Sequence, residues 1–505
     1  MRLHFAFVLS LATALPPAVG RAEVILIASN GQAVIGERIA SEDEKSYEVA
    51  IYRDYTRRVP RAAVKERRDV KRPERAAREA FERRLKELGA AAAPAPKRSV
   101  SASEAAFLRQ QIGRFFASAE ERTQAVNDLK GRDTLPLAAV PEWSAACFAA
   151  ARTGLQVRVG DTVFKHPDFE GNLHIEQWRK PSPGGAPAPA APAADERWPV
   201  LISLHGGGLN DGNWRSGGPA LFGQFRVHFD RMILVAPTVL QKQYAEWAGN
   251  PVEENYVREV FKAVKRTWKI DTDRVFIGGT SMGGYGAWQI GGHQADLFAG
   301  LVSGAGGILI GAREGMPWGM GVIGNLMHTP IAFVHGGKDE AAPPWSDVEA
   351  DKILTALAAR DSGCFRHKYL FYPEAGHNVP NDGMVQAVNW LASFIREPYP
   401  KRILWEPRRP INTQFYWLKM DPPQPFARLE GEIESNTVRL KTENIAGGFS
   451  VLLNDRLVDL SRPVRVEIDG RKAFEGPVQP SLTTILQTVD DRVDDAQWFS
   501  AQIDF

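Results

Sequence analysis

A chain of 505 residues is too long for one compact core, so two to four domains are expected. Its 44% hydrophobic and 24% charged residues are ordinary for a soluble globular protein. With 62 basic side chains against 60 acidic ones, the net charge of +2 gives no field that would select a nucleic-acid partner.

Residues 1–22 read as a secretory signal. Arg2 and His4 make a polar start, an apolar run follows over 5–15, and Gly20 and Ala22 are small residues suited to cleavage. A buried helix is the alternative, but Pro16 and Pro17 break the run where a processed signal would end. Export to the periplasm or beyond is expected. No Cys follows the run, so no lipid anchor is expected, and no later stretch approaches the roughly 18 apolar residues of a membrane span. The two cysteines, Cys147 and Cys364, leave a single bridge and two buried thiols both open.

Residues 23–64 read as a small β module. The run 24–27 leads to an Asn30-Gly31 turn and a second run at 33–35, while Tyr47, Val49 and Ile51 alternate with polar neighbours. Residues 65–100 then read as a charged helix and an Ala/Pro linker. Arg67, Arg68, Lys71, Arg72, Arg75, Arg78, Arg83 and Arg84 are interleaved with Glu74, Glu79, Glu82 and Glu87 at helical spacing. Adhesion to an anionic cell-surface polymer is one reading. The interleaved acids favour a solvated helix instead. Residues 89–98 are linker by composition.

Residues 101–153 carry Phe107, Leu108, Ile112, Phe115 and Phe116 at helical spacing and predict a helical pair that joins or covers the next domain. A Pro/Ala-rich insertion at 181–194 follows a predicted strand at 173–178 and reads as a long hairpin tip.

Residues 154–400 predict an α/β domain with a doubly wound, mostly parallel sheet. Six apolar runs lie at 200–204, 232–236, 275–277, 301–302, 331–334 and 369–371. Helical faces lie between them, such as Val257, Val260, Phe261, Val264 and Trp268, or Ile353, Leu354 and Leu357. Strands apolar without alternation, separated by amphipathic helices, predict a sheet covered on both faces. Residues 401–505 alternate again, at Val438/Leu440, Val451/Leu453 and Val464/Val466/Ile468, and predict an antiparallel β domain of sandwich type. Trp405, Tyr416 and Trp417 there are either carbohydrate-stacking rings or core, and core is favoured.

The chemistry concentrates in the α/β domain. Gly279-Thr280-Ser281-Met282-Gly283 matches the G-x-S-x-G nucleophile elbow and stands between a predicted strand and a predicted helix. A sharp turn there lifts the Ser281 hydroxyl above the sheet and aims the Met282 amide, at a helix N-terminus, toward a developing oxyanion. His205-Gly206-Gly207-Gly208 follows the run at 200–204 and offers a second amide, Gly207, with Gly208 as the alternative. A phosphate loop is the competing reading, but no Lys-Ser/Thr follows these glycines. Chain order next requires an acid and then a histidine. Asp339 and His377 each lie just past an apolar run, where a doubly wound sheet places its site. Of the rivals, Glu340 is the best alternative acid, and Asp382 falls after the histidine. His293 lies on the elbow helix, His335 at a strand end, and His367 ahead of its strand.

Residues 198–397 resemble the α/β-hydrolase superfamily through the strings LHGGG, IDTDRVFIGGTSMGGYGAW, GGKDEAAPP and AGHN. The resemblance is to the group that includes feruloyl esterases, polyhydroxybutyrate depolymerases and carboxylesterase-like enzymes, with prolyl-oligopeptidase-type domains nearby. It implies Ser281 as nucleophile, Asp339 as orienting acid and His377 as base, with no cofactor and no metal. Trp214, Trp247, Trp318 and Trp345 follow the site-bearing strand ends as candidate pocket walls or stacking rings. The expected partner is a carboxylic ester, with a polysaccharide-linked one favoured, and with cell-surface association as a further expectation. A serine peptidase and a non-catalytic surface-binding protein are the alternatives. The chain lacks a β-propeller-length N-terminal region, which weighs against the peptidase.

Overall fold

The computed structural model describes residues 24–28, 33–36, 38–52, 55–69, 75–88, 99–181, 196–207, 213–240, 247, 251–308, 322–407, 411–424 and 427–505. The signal segment, the Asn30-Gly31 turn, the linker at 89–98 and all but the first residue of the 181–194 insertion lie outside them. No helix among the described residues is long and apolar enough to cross a membrane.

An eight-stranded sheet forms the centre. Its strands are β1 (Gly160–His166), β2 (Phe169–Arg179), β3 (Trp198–Leu204), β4 (Arg231–Pro237), β5 (Ile270–Thr280), β6 (Gly300–Gly304), β7 (Ile331–Gly336) and β8 (His367–Tyr372). Their spatial order is β8-β7-β6-β5-β3-β4-β2-β1. Strands β3 to β8 run parallel, and β2 and β1 add an antiparallel edge. This is the α/β-hydrolase architecture. All six predicted apolar runs are strands of it; every residue of β3, β6 and β7 is buried, so those strands need no polar face, whereas the edge strand β8 is only partly covered.

Helices α1 (Gly218–Arg226), α2 (Pro251–Thr267), α3 (Met282–Gly286), α4 (Trp345–Arg360) and α5 (Asn381–Leu391) cover the sheet. The period of two along each strand divides the core between the faces. Leu201, Phe276, Val302 and Val334 pack with Phe222 and Phe225 of α1 and Val388 of α5. Val200, Ile202, Ile277 and Phe333 pack with Val260 of α2 and Ile353 of α4. Each such side chain contributes about 1.5–3 kcal/mol relative to exposure. The chain order doubles back at β3, which lies between β5 and β4. That reversal opens a crevice at the C-terminal ends of β3 and β5.

The flanking modules differ from expectation in three places. Val64–Asp69 is an edge strand paired antiparallel with Val24–Ala28, where the charge pattern predicted helix; the helix spans Arg75–Leu88. An all-charged run has no apolar period to separate 3.6 from 2, and an edge strand tolerates charge on its open side. Residues 101–153 form three helices, Ala102–Phe115, Ala119–Leu129 and Val140–Ala151. They bury Leu108, Ile112, Phe115 and Trp143 against Ile485, Leu486 and Val489 of a C-terminal helix, Leu482–Arg492. Finally, the C-terminal β domain is mixed, because Thr437–Glu443 pairs parallel with Val464–Ile468. Between those strands the chain crosses to a second sheet through Ser450–Leu453, so it returns in the same direction. Trp405, Tyr416 and Trp417 are core, each at most 1% exposed, so they are not available for carbohydrate stacking. Cys147 and Cys364 are free thiols.

Candidate active site

Ser281 follows β5 directly and caps α3, with φ 58° and ψ −120°. That backbone region costs about 1–3 kcal/mol for a residue with a Cβ and persists only where neighbours enforce it. The Leu204 carbonyl at the end of β3 crowds the elbow on both sides. A Cβ on Gly279 would fall 2.2 Å from that oxygen, and one on Gly283 1.9 Å from it. Both flanking glycines of the elbow therefore answer one close backbone approach. The Ser281 amide donates to Gly304 O at 2.7 Å, which ties the turn to β6. The helix beyond α3 widens over Ala287–Gly291 into a π-type turn.

Asp339 and His377 come from the loops after β7 and β8, and the backbone fastens those loops together. Gly337 N–H donates to Tyr372 O and Lys338 N–H to Ala375 O, each at 2.8 Å. An ion pair between Lys338 and Glu374 joins the same two loops. In this frame His377 Nδ1 lies 2.8 Å from Asp339 Oδ2, and His377 Nε2 lies 2.9 Å from Ser281 Oγ. A carboxylate accepts only, so Nδ1 carries the proton and Nε2 is the base facing the hydroxyl. The Asp339 side chain is fully enclosed, and its Oδ1 accepts from the Ala341 and Ala342 amides at 2.9 and 2.8 Å. The His377 side chain is 34% exposed, so the base can reach both a ligand and water.

The loop 205–207 runs beside the nucleophile: a Cβ on Gly206 would lie 3.7 Å from Ser281 Cβ. His205 holds that loop. The Val239 amide donates to His205 Nε2 at 3.2 Å, so Nδ1 carries the proton and donates to Gly206 O at 2.7 Å. Burial keeps the ring below the usual histidine range and neutral. In a planar trans peptide the N–H opposes the C=O. Anchoring the Gly206 carbonyl on the ring therefore turns the Gly207 N–H away from it. Gly207 is exposed at φ 114°, and its amide donates to no group among the described residues. The Met282 amide opens α3 and belongs to the unsatisfied first turn of that helix. Gly208 lies outside the described residues.

Of the rival residues, His335 lies against Asp339, 3.4 Å from its Oδ2, and the others take no part in the hydrogen-bonded line of the triad. Glu340 is exposed. His293 is buried 3.4 Å from Glu254, His367 faces Asp351 and Thr355, and Asp382 accepts from the Tyr372 hydroxyl. Trp247 is buried and donates to His205 O at 3.0 Å, so it braces the loop and does not wall a pocket. Trp214 stacks on His174 at 3.6 Å, Trp345 opens α4 half-buried, and Trp318 lies outside the described residues. The sequence alone gave His205 no role, although its place directly before three glycines was a usable signal. It also left Asp347, whose Oδ2 lies 2.7 Å from His335 Nδ1, without a role. Among the described residues no cluster of three His, Cys, Asp or Glu is disposed to hold a metal ion.

No protein-family model matches the chain, and no curated protein matches it by sequence. Solved α/β serine hydrolases and esterases do resemble it. A thermostable esterase is 18% identical over 47% of this chain and 62% of its own, with a TM-score of 0.35. A ferulic acid esterase is 13% identical over 47% and 99%, at 0.33. An acylaminoacyl peptidase from Pyrococcus horikoshii is 14% identical over 49% and 43%, at 0.34. The chain spans less than two thirds of the length of the first and third of these. The fold assignment rests on the strand order and the elbow described above.

Proposed function

We propose that this chain is an exported serine esterase that cleaves carboxylic esters through an acyl-enzyme. Ser281 is the nucleophile, His377 the general base and then acid, Asp339 the group that orients His377, and the Gly207 and Met282 amides form the oxyanion hole. One observation carries this reading: the unbroken hydrogen-bonded line from Ser281 Oγ through both nitrogens of His377 to Asp339. A hydroxyl is a weak nucleophile until a base in bonding reach takes its proton, and the base needs a partner that fixes its tautomer.

In the first step Ser281 Oγ attacks the ester carbonyl carbon while its proton passes to His377 Nε2. The carbonyl oxygen becomes an oxyanion that accepts from the two amides, a contact worth several kcal/mol in the transition state. Collapse breaks the bond to the alcohol, which leaves with the proton from His377. Water then gives its proton to His377 and attacks the acyl carbon, and the acid is released with Ser281 restored. No metal or organic cofactor enters these steps.

The accessory β modules and the secretory start favour an ester linked to a polymer, such as an acylated polysaccharide, over a small cytosolic metabolite. A panel of acetylated and feruloylated xylan, simple aryl esters and aminoacyl-nitroanilides tests this. Release from xylan with no nitroanilide cleavage is expected. Hydrolysis of aryl esters alone would remove the polymer from the reading, and nitroanilide cleavage would replace the esterase with a peptidase.

A further inference from the structure

His335, the next-to-last residue of β7, is wholly enclosed beside Asp339 and approaches the same carboxylate oxygen, Oδ2, that His377 Nδ1 meets. Its Nε2 lies 2.6 Å from Ala342 O and 3.4 Å from Asp339 Oδ2, and its Nδ1 lies 2.7 Å from Asp347 Oδ2 on α4. A carbonyl accepts only, so Nε2 is protonated. Nδ1 faces a carboxylate, and a second carboxylate stands at the other end of the ring; that arrangement favours a proton on Nδ1 also. We infer that His335, held as an imidazolium by Asp347, is a positioning residue that fixes the turn aiming Asp339 at His377. This rests on the esterase reading, in which Asp339 orients the base.

Two effects follow from the geometry. The bond to Ala342 O fixes the peptide segment whose Ala341 and Ala342 amides hold Asp339 Oδ1. The charge acts as well, since His335 Nε2 stands 3.4 Å from Asp339 Oδ2, the oxygen that His377 Nδ1 meets at 2.8 Å, while Asp347 sits at the opposite nitrogen of the ring. Burial alone would push the His335 ring down, but the bond and charge of Asp347, with Asp339 beyond, hold it above the usual histidine range. Burial pushes Asp347 up, and the His335 cation opposes that. A buried ion pair is weak evidence for a stabilising role, so its place against the acid is the more telling fact. Facing the pair from β8 is Tyr369, with Asp351 beyond it. Burial and the charges of Asp347 and Asp351 push the Tyr369 phenol above its ordinary value, so it stays neutral in the assay range.

The test is the pH dependence of fluorophosphonate labelling for the full-length wild type, Asp347→Asn and His335→Gln. Asp347→Asn keeps the shape but strips the ring of its second proton. With the cation gone, positive charge at the site is opposed less, so the acid limb of labelling moves to higher pH. The labelling rate at neutral pH falls on the order of tenfold as Asp339 loosens. An acid limb that stays at the wild-type position in a folded variant overturns the inference, whatever happens to the rate, because a packing role would leave the limb alone. Nitrogen-15 NMR of the wild-type imidazoles gives a second measurement that needs no variant. Two protonated nitrogens on His335 at neutral pH support the inference, and one bare nitrogen overturns it. An unlabelled wild type would instead bring down the esterase reading beneath it.

Discussion

Around Ser281, with its φ of 58°, the Leu204 carbonyl leaves room for nothing larger than hydrogen at Gly279 and Gly283. The strain and the two glycines are one device, in which β3 presses on the elbow and the hydroxyl is thrust out toward His377. Gly283→Ala puts a Cβ 1.9 Å from a backbone oxygen that a strand holds in place. We expect that substitution to destabilise the protein by more than about 3 kcal/mol or to prevent folding. Gly223, in the middle of α1, has nothing within 4 Å of its missing Cβ. Gly223→Ala should therefore be neutral or gain about 0.5–1 kcal/mol. Urea unfolding of the two variants checks the pair, and a Gly283→Ala midpoint equal to wild type would contradict the steric account.

At the scale of elements, legibility followed burial. The inner parallel strands were readable because both faces are covered, which leaves apolar runs without alternation; β8, at the edge, kept an apolar run although Phe371 is 44% exposed. Strand β1, with burial on one face only and Val163 44% exposed, gave no such run. The strand at Val64–Asp69 misled because its charges carry no period. The C-terminal parallel pair was hidden because direction depends on where the chain crosses between sheets. Ser281, Asp339 and His377 could be singled out because each stands just past a strand that was itself readable, and the structure brings the three into one hydrogen-bonded line. The His335–Asp347 contact joins residues of two elements through buried polar atoms, and no local pattern marks such a pair. Trp405, Tyr416 and Trp417 show the opposite ambiguity, since a stacking ring and a core ring are the same residue until burial is known.

Across the whole molecule, the α/β domain and the C-terminal segment share a buried ionic seam. Arg396 donates to Asp494 at 2.7 Å and to Asp273 at 2.9 Å, and the Tyr416 amide donates to Asp296 at 2.8 Å. Lys265 of α2 is enclosed in this seam, and burial pushes its ammonium down to about 7, with Asp494 opposing and Arg396 and Arg492 adding. A folded value below the unfolded value of about 10.4 means that the unfolded chain binds the extra proton between those limits. The group's penalty is thus complete below about pH 7 and fades as pH rises toward about 10. Lys265→Met should raise the Tm most near and below neutrality, with the gain shrinking at alkaline pH; a gain independent of pH would contradict this. The central claim is tested most directly on the intact molecule, by its mass after exposure to a fluorophosphonate, for wild type and Ser281→Ala. One adduct per chain on wild type and none on Ser281→Ala is the predicted result. An unmodified wild type, or a Ser281→Ala protein labelled equally, would contradict an activated serine at the β5 elbow.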